Sequence, residues 1–258
     1  MCRPTYFDVT YSINPWMDPA RPTSAATGLA QWKRLHDTFV TFGHELELLE
    51  PVPGLPDMVF AANGALVVDG KALVARFRHP QRADEAAAYL DWFGRAGWSQ
   101  VHQAEYVNEG EGDFIFTGAE ILAGTGFRSD TMAHDEVREF FGRPVLSLNL
   151  VDPRYYHLDT ALAVLGPGEV MYYPEAFDAA GRAALAARFP DAIQAEAADA
   201  AVFGLNAVSD GRNVILPRQA GKLAEQLRDR GYEPVGVDLT ELLKAGGSVK
   251  CCTLELRD

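Results

Sequence analysis

Cysteine is scarce in this chain: three residues in 258, at positions 2, 251 and 252, with no CxxC pair. That scarcity argues against a disulfide framework and a dedicated cysteine zinc site, and leaves each thiol to be weighed as a chemical group. Positive charge is also in short supply. With 23 Lys and Arg against 36 Asp and Glu, the formal charge of -13 repels phosphate backbones and anionic membrane surfaces. Nucleic acid and membrane are therefore not expected as partners, whereas a cationic small molecule is. No apolar run approaches the ~18 residues of a membrane-crossing helix. Arg3, Pro4 and Asp8 interrupt the amino terminus where a signal peptide needs continuous apolar character, so a cytoplasmic protein is expected. Linkers, low-complexity segments and charge runs are missing too. Residues 1–258 thus read as one domain, and the 48% apolar content is that of an ordinary soluble globular protein with a sizeable core.

What the chain does contain is a concealed repeat. VVDGKALV turns at Asp69-Gly70, FIFTGAEILAG at Thr117-Gly118, ALAVLGPGEVMYY around Gly166 to Gly168, and AVSDGRNVILP at Asp210-Gly211. Each is a short apolar hairpin signal with glycine in the turn. Glycines 70, 118, 168 and 211 lie 48, 50 and 43 residues apart, which indicates one repeated supersecondary unit. Helical segments follow each hairpin, over Arg82 to Trp98, Thr131 to Phe141, Glu175 to Phe189 and Gln219 to Arg230. Strand-like runs such as PVLSLNL and EPVGVDL come after them. A fifth copy requires the terminal strand CCTLEL to pair with TYFDVTY, around a helix over about Ala25 to Phe42. The pattern predicts a closed α/β ring of five ββαβ modules.

Equivalent places in the first strands of such modules face one axis, and they hold reactive groups: Asn63 in AANGAL, Glu109, Glu111 and Asp113 in NEGEGD, His157 and Asp159 in YYHLDTAL, and Cys251 in VKCCTL. A thiol needs a neighbouring cation or base to ionise, and an imidazole can exchange protons with a reacting group. Carboxylates at the same point hold and orient a cation. Together they describe nucleophilic attack on a positively charged carbon, for which a guanidinium is suited. Singly, each has a plainer reading: Cys251 or Cys252 as core thiol, His157 as a satisfied structural histidine, the aspartates as turn caps, NEGEGD as an acidic loop. The conjunction across modules favours chemistry.

PDMVFAANGALVV, NEGEGDFIFTG, YYHLDTALAVL and GGSVKCCTLEL, in this order over nearly the whole chain, resemble the guanidino-group-modifying enzymes of the pentein superfamily. With the opening CRPTYFDVTYSINPWM they look most like the branch of dimethylarginine dimethylaminohydrolases and arginine dihydrolases. The resemblance implies a five-bladed, pseudo-symmetric α/β propeller, no metal or organic cofactor, and an arginine or methylarginine substrate. It implies Cys251 as nucleophile, His157 as general acid/base, and Asp159 of the HLD pattern beside them. Glu109 matches the glutamate that clamps the guanidinium, with Glu111 as its alternative because EGEGD is one residue longer than the common EGGD. Asp113 is the accompanying aspartate. Arg82 and Arg128 match the binders of the amino-acid carboxylate, a role suited to the guanidinium fork.

Asn63 stands where deiminases and dimethylarginine hydrolases use aspartate, and together with Asn14 in SINPWM it resembles the dihydrolases, which release both nitrogens and an ornithine-type product. A neutral amide grips a cation less well than an anion does, but still accommodates a neutral ureido group for a second attack. The alternative is dimethylarginine hydrolysis to citrulline and dimethylamine. Amidino transfer is a weaker enzymatic option. A ribosome-binding factor of the same fold requires a basic surface and no Cys/His/Glu set, the opposite of what this chain carries. Oligomeric state is left open, a homo-oligomer included, and MDPARPTSAATG reads as a flexible loop near the pocket.

Overall fold

A computed structural model describes residues 1–257. Helix α1 (Ala25–Thr41) comes first, its amino end capped by Ser24 Oγ accepting from the Thr27 amide. Four units of one plan follow. In the first, β1 (Ala65–Val68) pairs antiparallel with β2 (Lys71–Val74), and β2 pairs parallel with β3 (Gln100–Gln103) across α2 (Pro80–Ala83) and α3 (Glu85–Arg95). The second joins β4 (Phe114–Phe116), β5 (Ile121–Thr125), α4 (Thr131–Phe141) and β6 (Val145–Asn149); the third joins β7 (Leu162–Gly166), β8 (Glu169–Tyr172), α5 (Ala179–Arg188) and β9 (Ile193–Gln194). After α6 (Ala197–Ala200), the fourth joins β10 (Val208–Ser209), β11 (Asn213–Pro217), α7 (Gly221–Asp229) and β12 (Glu233–Val237). Hairpin, helix, parallel strand is the unit anticipated from the glycine spacing. Asp69 and Gly70 both have positive φ, 50° and 69°, as the two-residue hairpin turn requires.

Strands β1 and β2 are apolar and almost wholly buried, since helices cover one side and the neighbouring unit the other. Five apolar clusters then run round the ring. Leu66 and Leu73 of the first unit pack with Phe114, Ile121 and Val137 of the second; Leu122 and Leu148 pack with Leu162, Val170 and Leu185 of the third; Met171 and Ile193 pack with Val214 and Leu223 of the fourth. Ile215 and Val237 meet Phe7, Trp32, Leu35 and Phe39, and Cys2 and Leu49 meet Val67, Val74, Tyr89 and Phe93. With Cys251 and Cys252 in the first of these two clusters and Leu254 against the second, both termini close the ring, and truncating a buried aromatic such as Phe93 is expected to cost about 3–5 kcal/mol.

The fifth sector is not the predicted sheet. The described sheets are four, each three-stranded, and beside α1 the closing sector carries one parallel bridge, Cys2 to Leu49. TYFDVTY satisfies its backbone locally: the Phe7 amide donates to Pro4 O, and Asp8 Oδ1 accepts from the Val9 amide, contacts that compete with a strand ladder. Cys251 and Cys252 lie in a 3-10 turn, Lys250–Cys252, rather than in a strand. Gly247, ahead of that turn, passes so close to Phe60 that a Cβ there would stand 2.2 Å from the ring. Among the described residues no helix is long and apolar enough to cross a membrane.

Candidate active site

The polar residues expected on the first strands sit instead in or beside 3-10 turns ahead of them, Ala61–Gly64, Gly110–Gly112 and Leu158–Thr160, with Asp113 between its turn and β4. Interior positions of such doubly buried strands have no room for ionised groups, whereas the tight turn aims them at the axis. Glycine is indispensable at one of these places. Gly110 has φ +52°, and a Cβ there would stand 2.5 Å from Ala65 O, so only glycine lets Glu109 and Glu111 diverge to opposite ends of the axis.

Asn63, Glu109, Asp113, His157, Asp159, Cys251, Arg82 and Arg128 converge, and none is more than 3% exposed. Glu109 Oε2 accepts from His157 Nε2 at 2.7 Å and from Arg128 Nη1 at 2.7 Å. A carboxylate partner fixes the hydrogen on Nε2, so Nδ1 is the ring nitrogen left for proton exchange. Burial alone would raise the Glu109 pKa, but Arg128 and His157 outweigh it and hold the carboxyl well below its ordinary range. Cys251 Sγ lies 3.3 Å from Asp159 Oδ2. Burial, with the Asp159 charge next, pushes the thiol well up, so it is a protonated donor to that carboxylate. Burial likewise raises Asp159 to about 7 and Asp113 to about 6. Asp113 accepts from Ser129 Oγ at 2.6 Å and from the Leu158 amide at 3.2 Å, bonds that brace the Glu109 and His157 turns against each other.

Asn63 Oδ1 accepts from Arg82 Nη1 at 2.7 Å, which turns its Nδ2 outward as a donor. Arg82 is fixed in turn by a two-pronged pair with Glu85, both contacts 2.8 Å. The two arginines anticipated as binders of a substrate carboxylate serve protein acceptors: Arg82 holds Glu85 and Asn63, and Arg128 holds Glu109 and Ile13 O at 2.9 Å. Each stacks on an aromatic ring, Phe77 at 4.8 Å and Tyr156 at 4.6 Å. Glu111 points the other way. It accepts from Lys250 Nζ at 2.5 Å and from the Glu255 amide at 3.0 Å, and also pairs with Arg257, tying down the carboxyl-terminal tail. Asn14 donates to Ala245 O at 3.1 Å and accepts from the Trp16 amide at 2.9 Å, so both ends of its amide hold loops together.

Two residues escaped the sequence reading. Asp57, buried, accepts from Tyr11 Oη at 2.8 Å through Oδ2, and Asn206 touches both Asp159 and Cys251. Asn206 stands just ahead of β10, the place that Asn63 occupies ahead of β1, and that placement was the available signal. The segment over the cluster is Tyr11 to Trp16, through the Tyr11–Asp57, Ile13–Arg128 and Trp16–Phe203 contacts. In the loop from Met17 onward, Lys244 Nζ donates to Pro22 O and the Ser24 amide donates to Glu241.

Five buried polar atoms without a partner fall in this one region: Asp57 Oδ1, Asn63 Nδ2, Glu109 Oε1, His157 Nδ1 and Asp159 Oδ1. Three are carboxylate acceptors. A ligand rich in N–H donors, planar and cationic, matches them. The described residues hold no group of three His, Cys, Asp or Glu arranged for a metal ion.

Comparison with known proteins agrees with this chemistry. A family described as N,N dimethylarginine dimethylhydrolase, eukaryotic, matches residues 14–258. An N(G),N(G)-dimethylarginine dimethylaminohydrolase of Mycobacterium tuberculosis is 55% identical over 99% of this chain and 84% of its own length. A bifunctional arginine dihydrolase/ornithine cyclodeaminase of Synechocystis is 37% identical over 100% of this chain, which spans 37% of that larger protein. The crystal structure of the N-terminal domain of the cyanobacterial arginine dihydrolase ArgZ, a mutant bound to substrate, superposes with a TM-score of 0.96 at 37% identity, covering 100% of this chain and 97% of that one.

Proposed function

The chain belongs to the N,N dimethylarginine dimethylhydrolase family, a group of guanidino hydrolases with the pentein fold, and from that premise we propose that it hydrolyses the guanidino group of arginine, in two rounds, to ornithine, ammonia and carbon dioxide. The observation that carries this reading is the set of unpartnered carboxylate oxygens around Cys251 and His157. Glu109 Oε1 and Asp159 Oδ1 grip the guanidinium, whose charge also favours ionisation of Cys251. The thiol proton points at Asp159 Oδ2. The thiolate attacks the guanidinium carbon, the proton given up by the thiol is delivered through His157 to the departing nitrogen, and ammonia leaves a thiouronium on Cys251. Water, deprotonated by His157, then releases the ureido product. Asp57 Oδ1, on the Tyr11 side of Arg82, suits the substrate α-ammonium. Arg82 and Arg128 are assigned to its carboxylate, with Arg128 exchanging Glu109 for the ligand.

Asn63 supports the second round. Its amide presents a donor, which matches the oxygen of a neutral ureido group better than an N–H of guanidinium. The other reading, a methylated arginine hydrolysed to citrulline, is favoured by the 55% identity to the mycobacterial dimethylaminohydrolase. Arginine and asymmetric dimethylarginine incubated side by side separate the two. Ornithine from arginine carries the dihydrolase reading, dimethylamine and citrulline carry the other, citrulline from arginine leaves a deiminase, and turnover of neither refutes all three.

A further inference from the structure

We propose that Asn206 is a further catalytic residue: its amide N–H is the neutral donor that stabilises the Cys251 thiolate. The inference deepens the guanidino-hydrolase reading and rests on Cys251 being its nucleophile. Asn206 is fully buried in the turn between α6 and β10. Its Nδ2 stands 3.1 Å from Cys251 Sγ and 3.1 Å from Asp159 O. Its Oδ1 accepts from the Cys251 amide at 3.1 Å, and its own carbonyl accepts from the Lys250 amide at 3.3 Å.

The partners determine which way this amide faces. A flipped side chain would set NH2 against the Cys251 N–H and the carbonyl against Asp159 O, two repulsive contacts in a dry site. The sulfur therefore always meets a donor. In the resting thiol that donor has only a weak acceptor. On ionisation the Sγ proton moves to Asp159 Oδ2, and the sulfur becomes an anion facing a pre-aligned N–H, so the contact strengthens into a charge-assisted hydrogen bond. Donors already in place when charge develops need no reorganisation. A neutral amide suits the position better than a lysine or arginine, because a fixed cation beside the sulfur would repel the incoming guanidinium. The same side chain holds the backbone of the Lys250–Cys252 turn, so positioning and thiolate stabilisation come from one residue.

The test is the pH profile of Cys251 alkylation by iodoacetamide, followed by site-resolved mass spectrometry so that Cys2 and Cys252 are scored separately. It needs no substrate turnover. For Asn206→Asp, which keeps shape and the Oδ1 acceptor but exchanges the donor for an anion, the alkylation midpoint is expected to rise by about one to two pH units, or tenfold to hundredfold less thiolate at fixed pH. Asn206→Ala should shift it in the same direction by a smaller amount. A midpoint unchanged in folded Asn206→Asp, whatever becomes of hydrolysis, overturns the inference and leaves Asn206 a structural brace. If wild-type protein hydrolyses no guanidino substrate but the midpoint still shifts, the thiolate donor stands and the proposed reaction falls.

Discussion

Exchanging Glu111 for glutamine separates the two glutamates of EGEGD, which are alike in sequence and opposite in surroundings. Glu111 is 1% exposed and receives Lys250 Nζ at 2.5 Å, the Glu255 amide at 3.0 Å and Arg257. Burial pulls the Lys250 ammonium down, but the Glu111 and Glu255 carboxylates outweigh it and hold it above its ordinary value. Removing one partner of a buried pair costs about 3–5 kcal/mol. Lys250 keeps Glu255 at 3.1 Å, and Arg257 is partly exposed, so the low end applies, about 3 kcal/mol. At about 2–4 °C per kcal/mol for a domain of this size, Tm should fall by roughly 10 °C, leaving the protein folded at 25 °C. Chemistry at 25 °C should stay within about tenfold of wild type, since Glu111 faces away from His157. Glu109→Gln should abolish guanidino hydrolysis, because it removes the anion from both His157 and Arg128. Thermal melts followed by circular dichroism, with ammonia release at 25 °C, read both effects. An unshifted Tm in Glu111→Gln, or a loss of turnover as complete as that of Glu109→Gln, would refute the division of labour.

A Cβ on Gly112 would stand 2.4 Å from Asn63 Nδ2 and 3.2 Å from the His157 ring, so Gly112→Ala is expected to lower kcat/KM by about 100-fold or more for about 1–3 kcal/mol of overpacking. An active Gly112→Ala enzyme would show that these side chains do not flank the reacting carbon. Asp159, raised by burial to about 7 from an unfolded value near 4, contributes stability present below pH 4 and lost as pH rises to about 7. Asp159→Asn should thus be inactive yet more stable than wild type at pH 8 by a few kcal/mol, with the gap closing by pH 4; urea melts showing the same gap at both pH values would contradict this. Asn63→Asp should turn arginine into accumulating citrulline, measured by product chromatography, and continued ornithine release would remove Asn63 from the second round.

Most of the ring was legible because it depends on local signals. Asp69-Gly70 demands its hairpin, Thr131 to Phe141 carries its helical stripe to Gly142, and the even glycine spacing exposes the unit. The fifth sector was not, because its residues come from opposite ends of the chain and compete with local bonds such as Asp8 to Val9. A short run such as CCTLEL reads as a strand by composition, yet its two cysteines lie in a 3-10 turn and the rest joins no sheet. The convergence of Cys251, His157, Glu109, Asp159 and Asn63 was legible from equivalence between modules. Their location in turns was not, since periodicity does not distinguish the last residue before a strand from its first. The fate of Glu111 was invisible for another reason: its partners Lys250 and Arg257 lie about 140 residues away, and no spacing rule reaches that far.

Asn206 sharpens the same lesson. Asn63, Glu109, His157 and Cys251 were recognised at equivalent places in their modules, and Asn206 in FGLNAV, at the equivalent place in the fourth unit, was passed over. Its part comes entirely from what the ring sets beside it. An unpaired buried polar group costs about 1–3 kcal/mol, and five such atoms in one cluster weigh heavily against a total stability of about 5–15 kcal/mol. The five come from four turns, His157 and Asp159 sharing one. A ligand whose guanidinium donates to Glu109 and Asp159 and whose ammonium reaches Asp57 engages the three carboxylates together, and the oxygen of a ureido stage then matches the Asn63 amide.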